Sequence, residues 1–449
     1  MSNARKNQKI ALQGSMRAVS AIEAKGEPKI GVDDFMALCQ RFGLSSKAMA
    51  GIRKIVREED WGEGPFLANY YSDLKESAVQ AFERAARETF GVKHAIGVSS
   101  GTGSLHAAFI AVGAGPGTEV ICPAIGFSAT ANAACFAGAK PVFCDVDASL
   151  HMDPTKIAPL ITKRTVAIAP THVMGGVCDM GAIMKVARKH KLKVVEDCAQ
   201  SCGGQFGGRY VGTFGDIGIF SISCYKIVGA GEGGLLLAKT KRLWERASQV
   251  IESGGLWRPD RFAPPRYEGE LFAGTNYRMS ELEAAVDVVQ LGKMPKTVGR
   301  FRTVKARILK RLKRFAGITP QILNDPNGEV GYMLRFFPET IELGERIVAA
   351  LNDRKVGAAM RGRNGDNDWH CYYYMHPLTH QLGVQRGDCP VADDLFDRLI
   401  NIPLNQWYTA ADCRLLADRI NEALATCCPE NDGAPGWGGT RRMMRGTSA

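Results

Sequence analysis

The sequence predicts an α/β protein: a large domain with a mostly parallel seven-stranded sheet flanked by helices, followed by a smaller C-terminal α/β domain. Between Ala95 and Thr240, short apolar runs alternate with helical stretches. The apolar runs are continuous, as in strands that helices cover on both faces. A length of 449 residues, with 45% hydrophobic and 23% charged residues, suits a globular chain large enough for two domains.

The chain begins with a polar, basic segment, residues 1–28, for which we expect a disordered tail. An organellar transit peptide is the alternative. Residues 29–90 are predicted to form a helical segment. Apolar spacing over Val32–Glu59 predicts two short helices joined by the turn Gly43-Leu44-Ser45, and Asp73–Phe90 predicts an amphipathic helix that the next glycine ends.

The large domain is placed at residues 91–298. Its strand candidates are HAIGVSS, EVICPA, PVFCDV, TVAIAPTHV, LKVVED, IGIFSIS and GGLLLAK. The helical stretches between them include TGSLHAAFIAVG, SATANAACFAG and DMGAIMKVARKHK, and a further helix covers SELEAAVDVVQLGKM. Strands that alternate with helices in this way indicate a parallel sheet.

A smaller domain is placed at residues 299–428. It is predicted to open near Gly299 with a separate basic helix, RFRTVKARILKRLKRF, followed by strands such as GYMLRFFP and two further helices. Residues 429–449, which include ENDGAPGWGGTRR, have the composition of a disordered tail.

The net charge of +11 does not indicate a nucleic-acid-binding protein. Residues 1–29 contribute +4 and residues 429–449 contribute +1, which leaves +6 for the body of the chain. We find no stripe of arginines interleaved with aromatic residues. A small anionic substrate explains the surplus as well as a polymer does. No run of eighteen apolar residues is present, so no membrane span is expected.

Thirteen cysteines are scattered along the chain, several of them inside apolar runs, as Cys135 and Cys144 are. Such positions suit buried, reduced thiols, and the odd count argues against a complete disulfide framework. We therefore expect a cytoplasmic protein. The pair Cys198 and Cys202 has no second pair at zinc-ribbon spacing, so no metal is predicted.

Three segments that follow strands carry candidate chemistry. Ser100-Gly101-Thr102-Gly103 precedes a helix, where exposed N–H groups and the helix dipole favour a phosphate. The segment lacks the third glycine of a dinucleotide-binding fingerprint, and a plain strand-to-helix turn remains the alternative. Asp197 ends another strand, where an acid is often a helix cap.

Lys226 follows Ser221 by five residues and precedes the glycine-rich run Gly229–Gly234. A lysine in a loop is usually a solvated charge. Its apolar neighbours, Ile227 and Val228 among them, favour burial, which lowers the pKa of an amine and suits it to form an imine. A pyridoxal phosphate (PLP) enzyme needs such a lysine, an acid for the pyridinium nitrogen and a phosphate cup.

From His94 to Thr240, and more loosely to Ala423, the sequence resembles the DegT/DnrJ/StrS family of PLP-dependent sugar aminotransferases. The resemblance rests on SSGTGSLHAA, CPAIGFSATANA, VVEDCAQSCGG, FSISCYKIVGAGEGG and GTNYRMSELEAA. It implies a fold-type I PLP-dependent transferase that uses pyridoxal 5'-phosphate.

The resemblance also implies roles for individual residues. Lys226 would form the Schiff base and move the proton, and Asp197 would pair with the pyridinium nitrogen. The other implied cofactor contacts are Gly101, Thr102 and Ser221 to the phosphate, Phe127 stacked on the ring, and Gln200 on the ring hydroxyl side. Asn276 would reach the phosphate of a neighbouring subunit, which implies a homodimer with shared active sites, while Arg278 and Glu281 would hold their loop.

The sequence departs from the family pattern in two places and resembles one branch of the family in a third. Ile125-Gly126 replace an aromatic residue and a threonine, which removes one side-chain contact to the phosphate. Cys224-Tyr225 stand where Pro-Thr is common. Trp369 and His370, in DNDWHCYYYMHPL, are similar to the Asn-Trp-His of the amino-octulosonate aminotransferases. Tyr225 and His370 are candidate substrate contacts, and packing between the two domains is the alternative for these rings.

The expected function is transfer of an amino group from glutamate or glutamine to a keto or aldehyde sugar, either nucleotide-linked or acidic. The alternatives are dehydration, decarboxylation or carbon–carbon bond chemistry on the same fold, or a non-catalytic regulator. The dehydratase branch typically replaces the lysine with histidine, and a regulator would be expected to lose Lys226 or Asp197. Neither nucleic acid nor a membrane is an expected partner.

Overall fold

The computed structural model describes residues 30–57, 67, 75–254, 273–363 and 368–440. The chain divides into two compact units, residues 1–66 and residues 67–449. The expected N-terminal tail lies outside the described residues, as do residues 441–449.

The first unit contains two short helices, α1 (Val32–Arg41) and α2 (Ser46–Ile55). Both were predicted, together with the turn between them. Ser45 is the N-cap of α2, where its Oγ accepts the N–H of Ala48 at 3.3 Å. The predicted end of the second helix at Glu59 lies outside the described residues.

Up to Ile251, the described residues of the second unit form nine strands and six α-helices. The strands are β1 (His94–Val98), β2 (Glu119–Pro123), β3 (Lys140–Cys144), β4 (Thr165–Ile168), β5 (Lys193–Asp197), β6 (Gln205–Phe206), β7 (Arg209–Tyr210), β8 (Ile217–Ser221) and β9 (Gly234–Ala238). The helices are α3 (Ala78–Phe90), α4 (Gly101–Ala111), α5 (Ala129–Phe136), α6 (Pro154–Ile157), α7 (Met180–His190) and α8 (Lys241–Ile251).

Seven of these strands form one sheet in the order β1-β9-β8-β5-β4-β2-β3, and β6 with β7 forms a separate hairpin. The sheet contains all seven predicted strands. Strands β8, β5, β4, β2 and β3 pair in parallel, while β9 is antiparallel to both β1 and β8. The carboxyl ends of the parallel strands therefore lie at one edge of the sheet, where ligands of open α/β sheets bind.

Helix α3 is shorter than predicted, because it begins at Ala78 and not at Asp73. A capping box sets this start: Ser77 Oγ accepts the N–H of Gln80, and the Gln80 side chain accepts the N–H of Ser77. The helix ends as predicted at Gly91, whose φ of +65° is a conformation that glycine adopts without strain.

Helix α9 (Glu281–Leu309) is one continuous helix of 29 residues, with Pro295 inside it. Two helices with a break near Gly299 were predicted, and that prediction was wrong. The reason is packing on both sides of the glycine: the helix contacts α3 and α13 (Ala410–Ala425) and buries Val298, Val304 and Ile308. The helix thus connects the large and small parts of the unit.

The rest of the chain forms an antiparallel sheet in the order β10-β11-β13-β12, with helices around it. The strands are β10 (Ile318–Pro320), β11 (Met333–Pro338), β12 (Ala359–Met360) and β13 (Ile400–Pro403). The helices besides α13 are α10 (Ile341–Asp353), α11 (His376–Leu382) and α12 (Pro390–Arg398).

The C-terminal segment was predicted to be disordered, and for residues 429–440 this was wrong. Trp437 packs edge-on against Phe336 with ring centres 5.5 Å apart, and its Nε1–H donates to the Lys313 carbonyl at 2.8 Å. The N–H of Leu323 donates to the Gly439 carbonyl at 3.0 Å. Burial of an indole fixes the segment although its glycine and proline content resembles that of a tail.

All thirteen cysteines lie in the described part of the chain as free thiols, and ten of them are buried. Burial raises the pKa of several, Cys202 to about 12 among them, so these thiols stay protonated and behave as small apolar groups. Among the described residues, no helix is both long enough and apolar enough to cross a membrane.

Candidate active site

The first strand of the sheet leads directly into the predicted phosphate loop. Ser100 caps α4: its Oγ accepts the N–H of Gly103 at 2.9 Å, and its carbonyl accepts the N–H of Ser104 at 3.0 Å. Among the described residues, no hydrogen bond uses the N–H groups of Gly101 or Thr102. Two backbone donors at the positive end of a helix dipole are therefore available to an anion.

Ser221, at the end of β8, lies against the same loop. A Cβ atom added to Gly101 would lie 2.8 Å from the Ser221 Cβ, so only glycine permits this approach. The structure thus brings together Gly101, Thr102 and Ser221, three residues that the sequence assigned to one phosphate from segments about 120 residues apart.

Asp197 ends β5 in the middle of the sheet and is 3% exposed. Its Oδ2 accepts the hydroxyl of Thr130 at 2.5 Å, and its Oδ1 accepts the N–H of Ala199 at 3.0 Å. Thr130 belongs to α5, the helix that follows the predicted ring-stacking segment. These two bonds fix the orientation of the carboxylate.

Gln200 is held by Met174, a residue with a strained backbone conformation. Met174 has φ +52° and ψ +37°, a left-handed conformation that is uncommon for a residue with a side chain, and its N–H donates to Gln200 Oε1 at 2.7 Å. Tyr332 Oη–H donates to the Gln200 carbonyl at 3.0 Å. With Oε1 engaged, the Nε2 amide of Gln200 is the group that can donate to a ligand.

Lys226 lies in the loop between β8 and β9. The loop is tight, because the N–H of Cys224 donates to the Gly231 carbonyl and the N–H of Lys226 to the Ser223 carbonyl, both at 2.9 Å. Burial lowers the pKa of Lys226, and the charges of Asp197 and Glu232 oppose that shift. The shift and its cause agree with the sequence prediction of a desolvated amine, which needs a low pKa to attack a carbonyl carbon.

Lys226 lines a cavity of about 440 Å³, which we call the Lys226 cavity. On its large-domain side, the cavity is lined by Cys202 and by two further predicted site residues, Gln200 and Tyr225. The opposite side, here called the small-domain wall, consists of Tyr332, Arg361, His370 and Gln406. A volume of this size accommodates a small organic ligand.

His370 is joined to Phe127 by backbone pairing. The N–H of Gly126 donates to the His370 carbonyl at 2.8 Å, and the N–H of Ser128 donates to the Trp369 carbonyl at 3.0 Å. The Phe127 ring is 46% exposed and lies 5.3 Å from the His370 ring at an angle of 53°. The small domain thus positions the predicted stacking ring, and His370 both lines the cavity and packs.

Arg361 is a cation of the cavity that the sequence analysis missed. It pairs with Asp368 through Nε and, at 3.1 Å, through Nη2, and the same Nη2 lies 2.9 Å from His370 Nδ1. Burial opposes ionisation of Asp368, yet the hydrogen bonds from His370 and Arg361 outweigh it and hold the pKa of Asp368 well below its usual value. The fixed carboxylate in turn orients the guanidinium.

The departures from the family pattern have separate outcomes. Ile125 is fully buried beside Cys371 and Tyr372, so it packs the core and does not face the Lys226 cavity. At Gly126, a Cβ atom would lie 3.3 Å from Thr171 Oγ1, which leaves little space for a larger residue. Tyr225 is 94% exposed, so the packing alternative does not apply to this ring.

Asn276 lies away from the Lys226 cavity. Its side chain is exposed, and its Oδ1 accepts the N–H of Arg278 at 3.2 Å. Among the described residues, it contacts none of the predicted cofactor residues of its own chain. Its role toward a second subunit stays a prediction.

A buried trio, His172, Glu196 and Cys198, places three potential metal ligands within 4.8 Å of one another. Glu196 already accepts the N–H groups of Gly212, Phe214 and Gly215 at 2.6–2.8 Å. His172 Nδ1 accepts the N–H of Cys178 at 3.0 Å, so its Nε2 carries the proton and lies 3.4 Å from Glu196. This bonding orders the loop after β5 and does not need a metal ion.

Residues 72–421 match the DegT/DnrJ/EryC1/StrS aminotransferase family. The chain belongs to this family. The predicted family and the predicted fold, a large α/β domain with a mostly parallel seven-stranded sheet, are both confirmed. The chain is therefore an aminotransferase.

Members of the family resemble the chain over most of their lengths. GDP-perosamine synthase of Caulobacter vibrioides is 32% identical over 344 residues, which cover 76% of this chain and 88% of that protein. UDP-N-acetyl-3-dehydro-alpha-D-glucosamine 3-aminotransferase of Acidithiobacillus ferrooxidans is 34% identical over 335 residues, or 72% and 83% of the two chains. An aminotransferase structure from Psychrobacter cryohalolentis superposes with a TM-score of 0.68 at 26% identity, over 78% and 92%.

Proposed function

We propose that the chain is a PLP-dependent sugar aminotransferase that moves an amino group from glutamate or glutamine to a nucleotide-linked keto sugar. The observation that carries this proposal is the arrangement of Lys226, Asp197 and the phosphate loop at one edge of the sheet. The acceptor class is supported by the names of the two curated relatives, one a GDP-sugar synthase and the other a UDP-sugar aminotransferase.

The described residues fit PLP. Gly101 and Thr102 present backbone donors at a helix N-terminus, where a phosphate would bind beside Ser221. Asp197, held by two hydrogen bonds, suits a pyridinium nitrogen, and the Nε2 amide of Gln200 suits the ring hydroxyl. When bound, the cofactor supplies an aldehyde carbon for the amine and a ring that accepts electrons.

Lys226 would hold the cofactor through its Nζ atom and, once displaced by the amino donor, act as general base and acid. Its Nζ would accept the proton of the donor Cα and hold it for return to the reacting group. A depressed pKa keeps the released amine neutral often enough to accept that proton.

Arg361 would bind the carboxylate of the amino donor. It is the guanidinium of the small-domain wall, and its Nη1 group, which Asp368 and His370 do not engage, would donate to that carboxylate. Asp368 and His370 hold it on its inner side, so its remaining N–H groups are directed by a fixed geometry. This assignment gives the residue a part in binding the donor, while Tyr225 and His370 remain proposed contacts to the sugar.

We also propose a homodimer in which Asn276 reaches the phosphate of the second subunit. Asn276 is exposed and does not line the Lys226 cavity of its own chain, which supports this role. A cytoplasmic location is supported by thirteen free thiols in the described residues, because secreted proteins usually pair theirs.

A half-reaction screen tests the proposal. The purified protein, loaded with PLP, is mixed with glutamate or glutamine while its absorbance is followed to the pyridoxamine form. Nucleotide-linked keto sugars and acidic keto sugars are then added separately to restore the original spectrum. Reversal by a nucleotide-linked sugar supports the proposal. Reversal by acidic sugars alone changes the acceptor class, and failure of the first step with every amino donor contradicts transamination.

A further inference from the structure

A second cavity, of about 460 Å³, lies on an outer face of α9 next to the turn that precedes α13. We call it the basic groove. Its lining includes Lys296, Arg300, Thr303 and Arg307 of α9, together with Gln406 and Tyr408 of the turn. None of these residues belongs to the sequence motifs that identify the cofactor site.

The spacing of the α9 residues explains why they share one face. Lys296, Arg300, Thr303 and Arg307 follow one another at intervals of four, three and four, which is the period of an α-helix. Three of the four are cations. Like charges at this spacing repel one another, so the face is stabilised when an anion binds to it.

Two other cations of the same helix, Arg302 and Lys305, are engaged by neighbouring groups on its other side. Arg302 donates to the Gly328 carbonyl at 2.8 Å, and Lys305 forms a buried ion pair with Glu329. In the part of the chain that the structure describes, no acidic side chain pairs with a cation of the groove. The positive charge on this face thus remains available to a ligand.

An exposed aromatic ring stands beside these cations. Trp407 is 66% exposed, and the guanidinium carbon of Arg300 lies 4.3 Å from the centre of its ring. Arg300 Nη1 also lies 3.5 Å from Gln406 Oε1. An arginine stacked on an exposed indole makes a flat platform next to a charge, which is what a nucleobase and an adjoining phosphate require.

The basic groove adjoins the Lys226 cavity at Gln406. Gln406 lines both, and the adjacent residues Lys296 and Thr297 line the groove and the cavity respectively. A ligand whose reacting end lies at Lys226 can therefore extend past Gln406 along α9.

We infer that the basic groove is the nucleoside diphosphate subsite of the acceptor: Lys296, Arg300 and Arg307 bind the diphosphate, and Trp407 stacks on the base. This inference rests on the proposed function, which supplies the sugar acceptor. From Lys296 to Arg307 the helix rises about 16 Å, a length that suits a nucleoside diphosphate. An acidic sugar, with a single carboxylate, would need only one cation and no aromatic platform.

The test uses full-length PLP-loaded protein and the free nucleotides UDP and GDP as probes, with binding measured by calorimetry. We expect Arg300→Gln and Trp407→Ala each to weaken binding of the preferred nucleotide about tenfold, as loss of a charged contact or a stacked base does. Trp407→Phe should retain most of the affinity. Arg311→Gln is the matched control, because Arg311 lies just past α9 and pairs with Asp418 at 3.2 Å.

Steady-state kinetics give a second readout: KM for the nucleotide-linked sugar should rise by a similar factor in the groove variants, with little change in kcat. The inference is overturned if neither nucleotide binds, or if Arg311→Gln weakens binding as much as Arg300→Gln. The donor half-reaction of the unaltered protein distinguishes failure of the proposed subsite from failure of the proposed function. If it proceeds while nucleotides fail to bind, only the subsite is wrong; if it fails, the proposed aminotransferase function is wrong.

Discussion

The sheet edge and the small-domain wall form opposite sides of one site, and they are built differently. At the sheet edge, Asp197 and Ser221 end strands, and Gly101 lies in the first turn of a helix. Their positions follow from parallel pairing, which aligns the strand ends. Arg361 begins a short 3-10 helix and His370 lies in a turn, and their positions depend on tertiary contacts such as the backbone pairing of His370 with Gly126.

The two sides also differ in what they contribute to the reaction. The edge carries the chemistry common to PLP enzymes, which needs fixed groups around one cofactor. The wall and the basic groove carry groups that suit particular substrates. Variants of the edge should therefore abolish the reaction with every donor, while variants of the wall should change affinity for one substrate.

The largest effect is expected at the edge, from Lys226→Ala. Without Nζ neither the cofactor bond nor the proton transfer can form, so turnover should fall below detection and the absorbance of the imine near the visible edge should disappear. Lys239→Ala removes an exposed lysine after β9 and is the control, with activity and spectrum retained. Full activity of the Lys226 variant would refute the site assignment.

The next effect is that of Asp197→Asn, which keeps the shape of the side chain and removes its charge. We expect kcat to fall by about 10²- to 10³-fold, the usual loss when one electrostatic contact to a reacting system is removed. Thr130→Val deletes only the hydroxyl that donates to Asp197 at 2.5 Å, so its loss should be about tenfold or less. Equal losses in both variants would show that orientation, and not charge, is what Asp197 supplies.

A smaller and more selective effect is expected at the wall. Arg361→Gln should raise KM for the amino donor by about 10- to 100-fold, the equivalent of one charged hydrogen bond, with kcat changed much less. Arg361→Lys keeps the charge but not the bidentate geometry and should lie between. Because Asp368 also depends on Arg361, circular dichroism must first show that the variants fold. A drop in kcat with unchanged KM would contradict donor binding.

The same contrast explains what could be predicted from the sequence. All seven strands of the sheet were found, because buried parallel strands are continuous apolar runs between helices. The candidate site residues next to those strands were predicted together with them, and their roles stay predictions. Arg361 was missed, since an arginine between Met360 and Gly362 has no periodic signal and its partner Asp368 is seven residues away in the sequence.

The errors in the fold have the same physical origin. Gly299 was taken as a boundary on its local preference, yet α9 continues through it because residues on both sides are buried against other helices. The segment around Trp437 was taken as a tail on its composition, yet the indole packs against Phe336. In both cases tertiary packing outweighed local propensity.

The test with the smallest expected effect at the sheet edge is the pH dependence of the acylation of Lys226 Nζ. Its pKa is lowered by burial, while Asp197 and Glu232 oppose the shift. The neutral amine should therefore be present at lower pH than for exposed lysines, and Nζ of the cofactor-free protein should be acylated by dilute acetic anhydride at correspondingly lower pH. Peptide mass spectrometry can follow this against Lys239 in the same sample. Glu232→Gln removes a group that raises the pKa, so the acylation profile of Lys226 should move further down in pH. A profile that moves up, or one that coincides with that of Lys239, would contradict a desolvated amine at the sheet edge.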